Sequence, residues 1–448
     1  MKQKILAILL FCVCNCSGQQ NREVAIDSYL LPYVQTNNFS GTVLIEKNGK
    51  VVFTKAYGFA NAEKRTRNTN ATQFHVASVS MQFTAAAILH LIDRGKIRLE
   101  SRVSEIFPDI QEGNRITIRD LLMERSGLAD INDLADYDEV LQHHQTAASL
   151  VAKIKDRPLL FEPGSKFLHE EHSAYNLIAL IIEKKTGLHF AAAMRKLVFK
   201  PAGLSHTWVD DDEPGASPGV ADGYQPDGVD GLRPATSIHW SGKTGNASVV
   251  TTAEDEARWV RKIFRGHFLK ENSRKAILDN PERVGYGWMR KANERFHETV
   301  YYMNGRAPGF ASFVMYLPQE QLSVVVFSNI YASSTTTIGN DVAATLLGLP
   351  CEPFRPDDSA LNSDQIKEST GTYVFGANFY QPNAEVALFD SSGKLSLRWP
   401  GGDVSPLIAL SQDRFIDRAY WEDVTLERDP NGLVKAISYG RFRGARKQ

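Results

Sequence analysis

"FHVASVSMQFTAAAILHLIDRGKIRLESRVSEIFPDI", Phe74 to Ile110, decides how the rest of the chain is read. From Ser78 to Arg94 it has the length of a helix, and Gly95 ends it. Ala85, Ala86, Ala87, Ile88, Leu89 and Leu91 make that helix apolar nearly all round, which predicts a buried helix rather than an amphipathic one. Its start is polar. Ser78 and Met81 stand at i and i+3 and so share one face. The plain reading of Ser78 is a helix cap, which contributes about 1 kcal/mol. Ser80 has no support beyond being polar near a helix start.

The 448 residues are 43% hydrophobic and 23% charged, with a formal net charge of -1, which is ordinary globular composition. The charge is balanced and no Lys/Arg stripe is present, so no polyanionic partner is implied and no nucleic acid is expected. Residues 1–19 read as a signal segment: Lys2 and Lys4 precede the apolar run Ile5 to Val13, which is too short to span a bilayer. The protein is therefore expected to be exported, periplasmic or secreted. "VCNCSGQQ" offers Cys16 as a lipid anchor, with cleavage near Gln19 as the alternative. Cys12, Cys14 and Cys16 all lie in this segment and Cys351 alone remains in the folded body, which excludes a disulfide or a cysteine-based metal site there. Cys351 is read as a small buried hydrophobe.

Strand patterns open and close the main region, and helices fill its middle. Gly41 to Glu46, the turn Asn48-Gly49 and a second strand read as a hairpin. "ITIRDLLMERSGL", "AYNLIALIIEKKTGL" and "TTAEDEARWVRKIF" read as further helices, the last with the threonine and acidic residues that suit a helix N-terminus. "ASFVMYLPQEQLSVVVFSNI" reads as two strands around a turn at Pro318. This predicts a mixed α/β (α+β) domain over residues 20–350, an antiparallel sheet flanked by helices. Residues 351–366 form a polar linker. Residues 367–448 hold the short runs "GTYVF", "AEVALFD", "KLSLRWP", "RFIDRAYW", "DVTLERD" and "VKAISYGRF", which predict a small all-β domain.

From Phe39 to Ile330 the chain resembles the serine β-lactamase and penicillin-binding-protein superfamily, in its class C and esterase-like branch. "KAYGFANAEKRTRNTNATQFHVASVS", "LLMERSGL", "FEPGSKF", "YNLIALIIEKKTG", "VTTAEDEAR" and "APGFASFVMYLP" carry the likeness in order and spacing. The C-terminal β unit looks like the lipocalin-like tail of some members. The resemblance implies a Ser-x-x-Lys motif, which here reads Ser78-Val79-Ser80-Met81. It implies a Tyr-x-Asn motif, which falls on Glu170 and His172 counted from the following helix, or on His169 and Glu171 counted from Pro163-Gly164. It implies Lys-Thr-Gly or His-x-Gly, which reads Met303-Asn304-Gly305. Glu124 and Arg125 stand where the family usually has histidine and threonine.

A serine without an adjacent base is a poor nucleophile, and a thioether takes no proton at neutral pH. The sequence therefore points to a hydrolase remodelled away from the Ser/Lys/Tyr mechanism. The leading expectation is glycoside hydrolysis by carboxylates, with Glu170 or Glu171 as one of the pair and Glu124, Asp130 or Asp222 as its partner. The alternatives are acyl transfer by Ser78 with a Glu or His base, and a binding protein without catalysis. Met81, His169, His172, Arg125, Asn304, Arg306 and Trp288 are expected to bind substrate, and Trp240 and Tyr286 are further aromatics for sugar stacking. The expected ligand is a small molecule or an oligosaccharide. No metal or cofactor is implied, and a membrane is expected only through an anchor on Cys16.

Overall fold

Asn48 (φ 54°) and Gly49 (φ 78°) both take left-handed backbone and fold strand β1, Gly41–Lys47, back onto β2, Lys50–Tyr57. This is the hairpin expected from the sequence. In the computed structural model the described residues are 21–168, 172–211, 219–228, 230–357, 359 and 361–447. The leader with Cys16, and His169, Glu170 and Glu171, lie outside them. The hairpin joins β3 (Val284–Gly285), β4 (Trp288–Asn293), β5 (Glu298–Ala307), β6 (Phe310–Leu317) and β7 (Leu322–Ser328). Together they form one antiparallel sheet in the order β3-β4-β5-β6-β7-β1-β2. β6 and β7 are buried along their whole length, so they read as continuous apolar runs rather than alternating ones.

Among the described residues the longer helices of the domain include α1 over residues 21–35, α2 Met81–Asp93, α3 His172–Thr186, α4 Ala253–Phe264 and α5 Thr335–Leu347. α4 and α5 cover β7, and α2 packs on α3. α2 is buried even at Gln82 and Thr84, as its sequence required. Thr252 caps α4 by accepting from the Asp255 N–H at 3.2 Å. "ITIRDLLMERSGL" is helical only over Ile118–Leu122. Thr117 and Asp120 cap its start reciprocally, and Glu124 leaves the helix in a left-handed conformation (φ 54°). Cys351 is half-buried rather than buried.

The C-terminal unit is a closed eight-stranded antiparallel barrel, sealed where Gly371–Phe375 pairs with Phe442–Arg446. The sequence offered six runs. The last of them breaks at Gly440 (φ 53°) into Val434–Tyr439 and Phe442–Arg446. Val404–Ala409 went unseen because Pro406 interrupts its pattern.

Arg418, in the barrel, is 0% exposed and reaches the first domain. Its guanidinium donates to Asn38 Oδ1 at 3.0 Å, to the Asn37 carbonyl at 3.1 Å and to the Gly228 carbonyl. Beside it Trp421 packs on Tyr33 and Phe354, with centroids 5.5 and 5.3 Å away. Burial lowers the Arg418 pKa to about 10, so the group stays charged at neutral pH. Its removal strands one buried acceptor, Asn38 Oδ1, at about 1–3 kcal/mol, and gives up two part-buried bonds to the Asn37 and Gly228 carbonyls. Arg418→Met is therefore expected to lower stability by about 3 kcal/mol. Calorimetry should show the barrel and the main domain melting apart in the variant and together in the wild type.

Candidate active site

The serine of the quoted stretch sits on a strained approach. Val76 lies in the bridge region (φ -103°, ψ 10°), and Ala77 is a non-glycine residue with φ 48°. Such backbone costs about 1–3 kcal/mol and clusters at functional sites. Ala77–Ser80 then form one 3₁₀ turn leading into α2. Neither the N–H nor the hydroxyl of Ser78 has a hydrogen-bond partner among the described residues, and the residue is 4% exposed. Ser80 is structural: its Oγ accepts from the Val249 N–H at 3.0 Å.

β5 lies directly against this turn. A Cβ at Gly305 would stand 2.7 Å from the Ser78 nitrogen and 2.8 Å from the Val76 carbonyl oxygen, so only glycine fits. On the next strand Ser312, opposite Gly305, donates to that same carbonyl at 2.7 Å. The side chains of Met303 and position 305 share one face of β5, and Asn304 and Arg306 share the other. Gly287 approaches the start of α2 from the far side, where a Cβ would stand 2.5 Å from Gln82 Cα.

Two histidines of this domain are each set beside a carboxylate. His172 opens α3, and Asp130 holds it. Asp130 Oδ2 accepts from the His172 backbone N–H at 2.8 Å, and its oxygens lie 3.2 and 3.3 Å from Nδ1. The Asn132 amide lies 3.0 Å from the same ring nitrogen. The carboxylate beside Nδ1 favours the proton there, which makes Nε2 the acceptor, with the Asn132 amide nitrogen 3.4 Å from it. Burial pushes the Asp130 carboxyl up, but the hydrogen bonds from His172 and Asn132 outweigh it and hold the group below the usual carboxylate range. Lys243 extends this wall: it is 9% exposed, with its ammonium 4.9 Å from the Tyr137 ring.

His75 lies three residues before Ser78 on a short strand. His75 and Trp208 pair with the same residue, Val250, and this three-stranded ribbon brings His75 beside Asp210. The imidazole stacks on Trp240 at 3.7 Å and 8°, meets Phe310 edge-on, and has Nε2 3.4 Å from Asp210 Oδ2. Burial outweighs that carboxylate and pushes the imidazole down to about 3, so it is neutral. Behind α2, Gln82 donates to Glu256 at 2.6 Å, and burial pushes the Glu256 carboxyl up to about 8.

Several expected substrate contacts are corrected. Trp288 is 3% exposed and packs edge-on against Phe264 of α4, so it is core. Met81 is 0% exposed, sealed at the start of α2. Arg125 is engaged by Glu282 at 2.7 Å and by the Gly164 carbonyl. Arg306 donates to the Ala419 carbonyl of the barrel at 3.2 Å and so joins the domains. Tyr286 takes left-handed backbone (φ 58°) and is buried, with Arg119 donating to its hydroxyl at 3.2 Å. Asn304 is half-buried on β5. The catalytic candidates Glu170 and Glu171, and His169, fall outside the described residues. Sequence reasoning missed His75, Asp210, Asn132 and Lys243. Only His75 carried a signal, its place three residues before Ser78. Among the described residues no group of three or more His, Cys, Asp or Glu is arranged to hold a metal ion, and no helix is long and apolar enough to cross a membrane.

A family model, Beta-lactamase, matches residues 26–347, well over half of the chain. The chain belongs to the beta-lactamase family. It is 26% identical over 340 residues to a D-aminopeptidase of Gluconobacter oxydans, covering 74% of this chain and 63% of that protein, less than two thirds of its length. It is 25% identical over 454 residues to penicillin-binding protein 4* of Bacillus subtilis, covering 94% and 97%. The octameric penicillin-binding protein homologue from Pyrococcus abyssi superposes with a TM-score of 0.64 at 20% identity, over 94% of this chain and 99% of that one. The last likeness extends the fold match through the barrel.

Two variants test this geometry. Gly305→Ala drives a methyl into the Ser78 backbone and is expected to cost about 1–3 kcal/mol, read as a lowered urea midpoint. Glu256 is neutral when folded and ionises near 4.5 when unfolded, so its stabilisation is complete below 4.5 and lost as pH rises through about 8. Glu256→Gln should flatten that fall by about 2 kcal/mol, measured as urea midpoints at mildly acidic and mildly alkaline pH.

Proposed function

We propose that this protein is a Ser78-dependent hydrolase of acyl esters or amides, in which a His172–Asp130 pair does the work of the motif lysine. The observation that carries this reading is the His172 imidazole, held through Nδ1 by Asp130 with Nε2 left as the basic nitrogen. The N–H and hydroxyl of Ser78, without a partner among the described residues, support it. So does the likeness to a D-aminopeptidase, whose name describes amide cleavage.

In this mechanism Ser78 Oγ attacks the substrate carbonyl carbon and its proton passes to His172 Nε2. The negative oxygen of the tetrahedral intermediate faces the Ser78 N–H. The C–O or C–N bond breaks as His172 returns the proton to the leaving group. Water, activated by the same nitrogen, then hydrolyses the acyl ester. Asp130 keeps the ring in one tautomer and stabilises its cation. The leader read from the sequence would put this chemistry outside the cytoplasm, with Cys16 as an anchor, and metabolic labelling with a fatty acid tests the anchor.

The glycosidase expectation now has less behind it. Trp288 is core, and Arg125 and Arg306 are engaged in joints. The decisive assay compares wild type, Ser78→Ala, His172→Ala and Asp130→Asn on p-nitrophenyl esters, amino-acid p-nitroanilides and a panel of oligosaccharides. Ser78→Ala should abolish ester and anilide turnover, and the other two should lower kcat by about 10²–10⁴. Sugar release that survives Ser78→Ala would replace this reading with the carboxylate mechanism. Ligand binding with no turnover anywhere would replace it with a binding protein.

A further inference from the structure

Beside the Ser78 turn lies a cavity of about 410 Å³ that the proposed hydrolysis leaves unused. His75, Trp240 and Phe310 line it together with Asp210, Asp222 and Glu63. Phe310 lies two residues from Ser312, which touches the Ser78 turn, and two residues of strand span roughly 7 Å. The cavity is therefore joined to the Ser78 turn through strand β6.

Its chemistry is one-sided. Among the described residues the charged groups that line it are the carboxylates of Glu63, Asp210 and Asp222, with no lysine or arginine. His75 does not supply the missing cation, because burial keeps its ring neutral. The ring is also held in place, stacked on Trp240 and met edge-on by Phe310. Asp210 lies beside Nε2, which puts the proton there and leaves Nδ1 as an acceptor. His75 is 5% exposed, and its Nδ1 has no hydrogen-bond partner among the described residues. A buried acceptor without a donor costs about 1–3 kcal/mol. Asp222 accepts from Asn61, and Glu63 accepts from the Tyr224 hydroxyl at 2.6 Å, but each carboxylate has lone pairs to spare. Carboxylates around one space repel one another, and a cation there relieves this. A primary ammonium brings positive charge and three N–H donors, which suits both the carboxylates and Nδ1. The apolar Val220, Ile238 and Phe310 leave room for a hydrocarbon side chain next to it.

We propose that the His75–Asp210–Asp222 cavity binds the protonated amino group of an amino-acyl substrate whose carbonyl carbon is presented to Ser78. The presentation to Ser78 rests on the hydrolase reading above; the binding of the amine does not. Full-length Ser78→Ala protein, in which the chemistry is removed, is titrated by calorimetry with phenylalaninamide and with N-acetylphenylalaninamide, each as both enantiomers. The free amine should bind at least about tenfold more tightly than its neutral acetyl derivative, and the difference should shrink above about pH 8 as the amine loses its proton. Asp222→Asn and Asp210→Asn, each checked for an unchanged melting temperature, should erase the difference. Equal affinity for the two compounds, preference for the acetyl form, or binding of neither overturns the proposal. Ester turnover dependent on Ser78 without amine preference would leave the hydrolase reading standing and this one refuted. Amine preference in a protein that turns nothing over would do the reverse.

Discussion

The backbone of β5 meets the backbone of the Ala77–Ser80 turn with no side chain between them, and the rest of the domain is arranged around that contact. Gly305 makes the approach possible, and Ser312 ties the next strand to the same turn through the Val76 carbonyl. Ser80 fastens its other end to Val249, and Gly287 closes on the first residues of α2. These contacts use backbone atoms, glycines and hydroxyls. None of them depends on residue 81 or on residue 303, where the family motifs read lysine or histidine. The seat of Ser78 therefore persists through substitutions that change the charge around it.

That division explains what could be read from the chain beforehand. The hairpin was legible because Asn48-Gly49 has one conformational use, and α2 because its apolar residues cover every face. The cap at Thr252 marked the start of α4 as expected. The site was less legible, because its parts come together through chain crossings that leave no local pattern. Asp130 was one of several loose carboxylates in the sequence, and it became a clamp only when α3 brought His172 to it. Asp210 is set beside His75 by a three-stranded ribbon made of two- and three-residue strands, too short to leave a period. Trp288 and Arg306 misled for a related reason. An aromatic or a cation next to a motif is conspicuous in sequence, yet one faces Phe264 in the core and the other a carbonyl in the barrel.

The barrel touches the site's own strand. Arg306 follows Gly305 directly on β5 and gives its guanidinium to Ala419, and the next barrel residue back, Arg418, is buried against Asn37 and Asn38 at the foot of β1. Burial lowers the Arg306 pKa and raises that of Asp417, so the joint is a place where charged groups have been taken out of water and given specific partners. Such pairs contribute modest stability but a defined orientation. The barrel is thereby held at one angle to β5.

Both units are closed by their own ends. β1 completes the main sheet only by pairing with β7, and Gly371–Phe375 completes the barrel only by pairing with Phe442–Arg446. A chain emerging from the ribosome would therefore expose an unpaired β1 edge until most of the domain had been made, and an open barrel until Phe442–Arg446 had been made. Long-range closure of this kind is slow relative to local helix formation. During synthesis the helices around α2 would be present well before the sheet that positions Gly305. The cleft would then be among the last features of the molecule to take shape, and its geometry would report on whether the whole chain had folded.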